Sequence, residues 1–160
     1  MRIEIHAVGR LKAGPERELA TRYLDRLSKT GSQIGLDFSG VTEHAEGRAG
    51  SATARKREEA QKLAAQFPSG SALVVLDEDG RNLDSESFAG LLARMRDNAR
   101  TGVTFVIGGP DGLDRSLVQQ ADHNIAFGAM TWPHQIVRLL LAEQLYRAVT
   151  ILSGHPYHRA

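Results

Sequence analysis

The chain contains no cysteine, which excludes a disulfide scaffold, thiolate catalysis and cysteine-ligated zinc together. That absence fits a reducing compartment. Charge of one sign is scarce too. A formal net charge of +1 creates no global field for a polyanion, so nucleic acid would have to meet a local patch or one face of an oligomer. No apolar run is long enough to span a bilayer: the greasiest segment, 136–152, is interrupted by Arg138, Glu143, Gln144 and Arg147, whereas a span needs about 20 mostly apolar residues. Residues Met1 to Val8 alternate polar and apolar instead of forming a signal-peptide core. A cytoplasmic protein without membrane contact is expected. Internal repeats and low-complexity tracts are missing as well.

What is present is an ordinary globular composition, 41% hydrophobic and 24% charged over 160 residues, which predicts a single domain across 1–160. Strand patterns occur at Ile3 to Val8, Ile34 to Phe38, Leu73 to Leu76, Val103 to Ile107 and, more weakly, Asn124 to Phe127. The third and fourth are nearly continuous apolar runs, as suits parallel strands covered on both faces. Helical spacing appears over Pro15 to Ser28, Thr53 to Phe67, Ser87 to Arg100 and Asp114 to Ala121. Alternation of strand and helix predicts an α/β fold with a mostly parallel sheet flanked by helices. The small, polar stretch Ser39 to Ala52 reads as a mobile loop. After it, Arg55-Lys56-Arg57 is either a solvated helix end or a phosphate contact.

A last helix follows Thr131, which is suited to capping it, and Pro133, which is suited to its first turn. Gly154 suits a left-handed stop and Pro156 prevents continuation. Between them Ile136, Val137, Leu139, Leu140, Leu141, Leu145, Tyr146, Val149, Ile151 and Leu152 cover more than one stripe. A helix apolar around most of its circumference is buried on two sides. In so short a chain one of those sides points to a second subunit, so a homodimer is expected.

Three short signals crowd the final third. Val103 to Ile107 runs into Gly108-Gly109-Pro110-Asp111-Gly112; Phe127-Gly128-Ala129-Met130-Thr131-Trp132-Pro133-His134 opens the last helix; and the chain finishes in His155-Pro156-Tyr157-His158-Arg159. The glycine cluster lacks the G-x-G-x-x-G spacing of a dinucleotide site, yet paired glycines after a strand let a ligand lie against bare backbone. Asp77-Glu78-Asp79, ending the Leu73 strand, offers carboxylates for acid–base work or simply a polar turn. His155 and His158 find no third ligand, so no metal is expected. Tyr157, His158 and Arg159 carry the stacking, hydrogen bonding and charge that hold a base and its phosphate.

Taken together, Gly108 to Leu113, Met130 to His134 with Arg138, Glu143 to Ala148 and His155 to Arg159 closely resemble the single-domain methyltransferases of the bacterial ribosomal RNA large subunit, in the SPOUT superfamily. Ala7-Val8-Gly9-Arg10-Leu11-Lys12 and Val75-Leu76-Asp77 resemble them too, so the likeness spans nearly the whole chain. The resemblance implies a SPOUT fold with a C-terminal deep trefoil knot, S-adenosyl-L-methionine as cofactor, a homodimer, and methylation of N3 of a pseudouridine in 23S rRNA within the assembled ribosome. By matching motif it places cofactor binding at Leu76, Gly108, Phe127, Gly128, Ala129, Met130, Thr131 and Trp132.

The residues are compatible with that chemistry. Backbone groups of 127–132 can match the edge of adenine, with Leu76 and Trp132 as apolar walls and Gly108 allowing close approach. Methyl transfer needs alignment above all, but an imide N–H must also lose its proton, and a base or cation serves there. His134 and Arg138 are the catalytic candidates, and Tyr157, His158 and Arg159 the substrate-binding ones. His134 at a helix start is otherwise structural, and Arg138 is otherwise half of an ion pair between subunits. From another class, a ribosome-binding factor that kept the fold and lost transfer is the alternative, and a small-molecule nucleotide-binding enzyme is a further one.

Overall fold

Apolar residues of the central strands split cleanly between two faces, and that split organises the molecule. In the computed structural model, which describes residues 1–158, the strands are β1 (Arg2–Val8), β2 (Asp37–His44), β3 (Ser71–Asn82), β4 (Gly102–Ile107) and β5 (His123–Ala126). The helices are α1 (Pro15–Gly31), α2 (Ala52–Ala64), α3 (Ser85–Asp97), α4 (Arg115–Gln120) and α5 (His134–Ser153). Short 3-10 turns lie at Ser32–Ile34 and Pro156–His158. All strand pairs are parallel, in the order β2-β1-β4-β3-β5.

Ala72, Val74 and Leu76 of β3 and Val103, Phe105 and Ile107 of β4 face one core, shared with Leu141, Leu145 and Val149 of α5 and with α1 and α3. Val75 and Val106, the intervening residues, face a smaller core built with Leu63 of α2 and Leu117 of α4. The period of two sends alternate side chains to opposite sides, and β4 is buried along its whole length. Here the expected α/β architecture is realised.

Two expectations about the second strand need correction. Ile34 belongs to a 3-10 turn, and β2 runs from Asp37 to His44, into the stretch expected to be a mobile loop. Polar side chains hid it, because β2 is an edge strand that exposes most of its residues. The connection from β2 to α2 is anchored as well: Gly47 N–H donates to Glu59 Oε1 at 2.7 Å, Arg48 N–H to Glu58 Oε2 at 3.2 Å, and Arg55 Nη1 to Ala49 O at 3.2 Å.

β3 is longer than its apolar core. Leu76 pairs with Ile125, and after a shift Arg81 pairs with Ile125 and Asn82 with Ala126, so 77–80 bulge out of the ladder. Glycine is needed at 80, where a Cβ would come 2.5 Å from the Ile125 carbonyl carbon. α5 ends as expected, with Gly154 at φ 70° and Pro156 opening the terminal turn. Its start differs: Pro133 is the capping residue, and no side chain caps the helix.

Between β1 and β2 two histidines are buried against each other. His6 Nδ1 lies 2.9 Å from His44 Nε2, so one ring donates and the other accepts. Burial pushes both below the usual histidine pKa, and the neighbouring His6 lowers His44 further. The unfolded chain therefore takes up protons first. The pair's full contribution to stability is present above the ordinary histidine value of about 6.5 and falls away as the pH drops below it. Thermal unfolding followed from pH 8 to pH 5 should show a falling midpoint. The doubly substituted His6→Gln, His44→Gln protein should show a lower midpoint at pH 8 and a shallower decline.

Candidate functional site

Sheet register brings the site together. Leu76 of β3 is paired with Ile107 of β4 on one side and Ile125 of β5 on the other, so the apolar part of β3 ends in one row with the ends of β4 and β5. The loops leaving that row enclose a cleft of about 590 Å³ at the carboxyl ends of the strands, where open α/β sheets place ligands. Its volume is that of a site for a drug-sized molecule, within about 300–1,000 Å³.

The cleft gathers most of the expected cofactor residues. Leu76, Gly108, Phe127, Gly128, Met130, Thr131 and Trp132 all line it, as does His134, the first residue of α5. Ala129 belongs to the same loop without lining the wall. Gly108 is held by its own turn: a Cβ there would lie 2.9 Å from the Gly112 carbonyl carbon and 3.1 Å from Leu113 Cγ. A side chain at 108 would disturb the turn before it touched a ligand.

The 127–132 loop is fixed internally. Asn82 Oδ1 accepts the Gly128 N–H at 2.8 Å, and the Trp132 indole donates to Phe127 O at 2.9 Å. These two bonds occupy the Gly128 N–H and the Phe127 carbonyl, two of the backbone groups expected to be free for a ligand. Gly128, at φ 102°, makes the turn possible. Thr131 does not cap α5; its hydroxyl donates to Glu78 Oε2 at 3.1 Å, joining the loop to the bulge within β3. Met130 and Trp132 stand 74% and 43% exposed at the rim, large apolar surfaces of the kind that a ligand or partner covers.

Three carboxylates face the cleft: Asp77, Glu78 and Asp111. Arg55 of α2 grips Asp111 in a two-pronged pair, with Nε and Nη2 at 2.7 and 3.2 Å, and that hydrogen bonding holds the Asp111 carboxyl below the usual range. Sequence reasoning missed Asn82 as a site residue, and it left Arg55 and Glu78 open between a functional role and a solvated helix end or polar turn, without their partners Asp111 and Thr131. Nothing in the local pattern marks these contacts, since each spans 46 or more residues.

Arg138 lies away from this wall. Its guanidinium is buried, donating to Glu43 Oε1 at 2.7 Å, Val8 O at 2.9 Å and Gly9 O at 2.6 Å. Burial opposes ionisation of Glu43, but the Leu11 N–H and Arg138 outweigh it and hold that carboxyl below its usual range. Arg138 thus pins the end of β1 to α5 within one chain.

Tyr157 docks against the middle of α5. Its hydroxyl contacts Glu143 Oε1 at 3.1 Å and the Tyr23 hydroxyl at 3.3 Å, and Arg147 sits 5.2 Å from its ring centre. Burial, with the Tyr23 and Glu143 contacts, raises its pKa. The expectation for Arg159 lies outside the described residues, as does that for the His158 side chain. His134 and Glu143 are nine residues apart on one helix, about 13 Å along its axis. The structure therefore does not bring Tyr157 and the cleft of one chain together.

Removing Arg138 strands two carbonyl acceptors and Glu43. Arg138→Ala should lose about 3 kcal/mol of stability in urea unfolding. A purely catalytic arginine would leave the urea midpoint at its original value.

Comparison with known proteins fits this geometry. The model of the family described as "Predicted SPOUT methyltransferase" matches residues 1–158. The chain is 60% identical over 159 residues to the ribosomal RNA large subunit methyltransferase H of Rhizobium rhizogenes, covering 99% of each chain. It is 60% identical to that of Sinorhizobium medicae and 56% identical to that of Mesorhizobium japonicum, each over 160 residues and the full length of both chains. A crystal structure of a probable methyltransferase from Bordetella pertussis superimposes with a TM-score of 0.53 over 92% of this chain and 95% of that one, at 16% identity. At that identity the likeness establishes a shared fold. With the family model covering residues 1–158 and full-length relatives near 60% identity, the chain belongs to the SPOUT methyltransferase family.

Proposed function

We propose that this protein methylates ribosomal RNA, transferring the methyl group of S-adenosyl-L-methionine to N3 of a pseudouridine in 23S rRNA on the assembled ribosome. The observation that carries the reading is the convergence of Leu76, Gly108 and 127–132 on one cleft, together with relatives named for large-subunit rRNA methylation.

The cleft fits the cofactor chemically. Its floor is apolar, with Leu76, Ile107 and Ile125 in a row. Backbone groups of 129–132 suit the edge of a purine. Asp77 and Glu78 supply negative charge suited to a sulfonium and an ammonium. Bound there, S-adenosyl-L-methionine would supply an activated methyl group needing no covalent help from the protein. The chain's own work is alignment and exclusion of water. His134, in the cleft wall at the start of α5, is placed to accept a hydrogen bond or proton from an imide N–H. Arg138, buried behind it, acts by holding β1 and α5 in register.

We infer a homodimer, because Tyr157 of a lone chain docks about 13 Å along α5 from the start of that helix. Two copies packed through half-exposed Ile136, Leu139 and Leu140 of α5 and through Met130 and Trp132 would let one copy's tail meet the other's cleft. We also infer the trefoil knot expected of the family. The support is the family model matched over residues 1–158.

Calorimetry with S-adenosyl-L-methionine and tritium transfer to purified ribosomes test the reading. Binding and transfer are expected. Ribosome binding without cofactor binding would favour the non-catalytic factor, and transfer to free nucleosides the small-molecule enzyme. Asn82→Ala, which frees the Gly128 N–H, should weaken cofactor binding about fivefold through loss of one loop hydrogen bond worth about 1 kcal/mol. Deleting 157–160 should abolish transfer while calorimetry still detects the cofactor.

A further inference from the structure

The segment between β1 and α1, residues 9–14, lines no part of the cleft, yet its backbone is tied down. Gly9 N–H donates to His44 O at 2.8 Å and Leu11 N–H to Glu43 Oε1 at 2.7 Å. Arg138 reaches from α5 to grip Gly9 O and Val8 O. Holding a guanidinium 6% exposed costs desolvation, and here that cost is set against fixing one short loop. The loop borders the cleft: a Cβ on Gly9 would lie 3.8 Å from His134 Nε2.

Two exposed cations stand on this rigid support, Arg10 and Lys12. Ion pairs in the chain use Arg55, Lys62, Arg96, Arg100, Arg138 and Arg147; neither Arg10 nor Lys12 takes part in one among the described residues. Some other cations have an acid close enough to act on it, Arg17 on Glu43 and Lys56 and Arg57 on Asp114. Glu16 and Glu18, the nearest acids in sequence, occupy the first turn of α1, where free backbone N–H groups attract them. Glu46 also approaches Gly9, with Oε1 3.0 Å from the position of a Cβ there.

We propose that Arg10 and Lys12 form a phosphate-binding edge that seats the RNA backbone next to the target nucleotide. The inference rests on the proposed function and adds where the substrate strand runs. Phosphate is the matching chemistry, since a lysine offers a point charge and an arginine a planar fork, both suited to phosphate oxygens. A chain of net charge +1 gains little from general attraction. Cations placed beside the reacting site then determine position as well as affinity.

The test measures binding of the whole protein to purified ribosomes between about 50 and 200 mM salt. Arg10→Ala with Lys12→Ala should reduce the slope of log affinity against log salt by about 1.4–1.8, the loss of two phosphate contacts. Calorimetric affinity for S-adenosyl-L-methionine should stay unchanged, because the loop is held by backbone groups and not by these side chains. Lys56→Ala with Arg57→Ala should keep the original slope. An unchanged slope in the first variant, or a reduced one only in the second, overturns the assignment while leaving the proposed function standing. Wild-type protein that neither binds nor methylates ribosomes overturns both. Cofactor affinity lost in the first variant also overturns it, by making the loop part of the cofactor site.

Discussion

The register of three parallel strands is the constraint on which the rest depends. With Leu76, Ile107 and Ile125 abreast, the glycine turn after β4, the bulge within β3 and the loop after β5 leave the sheet from one line. They have nowhere to go but around a common space. The packing that enforces this is ordinary: β4 is buried on both sides, Phe105 in the larger core and Val106 in the smaller. Slipping one strand by one residue would exchange those faces and separate the loops together. Site geometry and core packing are thus one property seen from two ends of the strands.

Much of this was legible in the sequence, because the informative residues are periodic or local. Leu73 to Leu76 and Val103 to Ile107 announce buried parallel strands by themselves, and Gly154 with Pro156 marks the end of α5. What was not legible is non-local. β2 carries Ser39, Gly40, Thr42 and Glu43, residues that read as a loop, and becomes a strand because β1 supplies a ladder beside it. Thr131 has the right type and position for a cap, but Glu78 competes for its hydroxyl from 53 residues away. Arg138 looks catalytic by motif; that it spans from α5 to β1 emerges only once the sheet has formed.

The charged residues divide by task. Arg55 and Arg138 are consumed in holding loops, one at the glycine turn and one at the end of β1. Glu43, Glu58 and Glu59 receive backbone N–H groups of neighbouring segments. A chain near neutrality can therefore still carry directed charge, since opposite charges that are committed internally leave others at the rim.

α5 is a ruler of 20 residues, about 30 Å long, with the cleft at one tip and Tyr157 docked near its middle, on Glu143. One residue inserted between His134 and Glu143 would rotate everything beyond it by about 100°. Tyr23 and Glu143 could then no longer face the same ring. Changes of length in this protein must therefore fall elsewhere, in connections such as 45–51, where added chain alters no angle between the cleft and Tyr157.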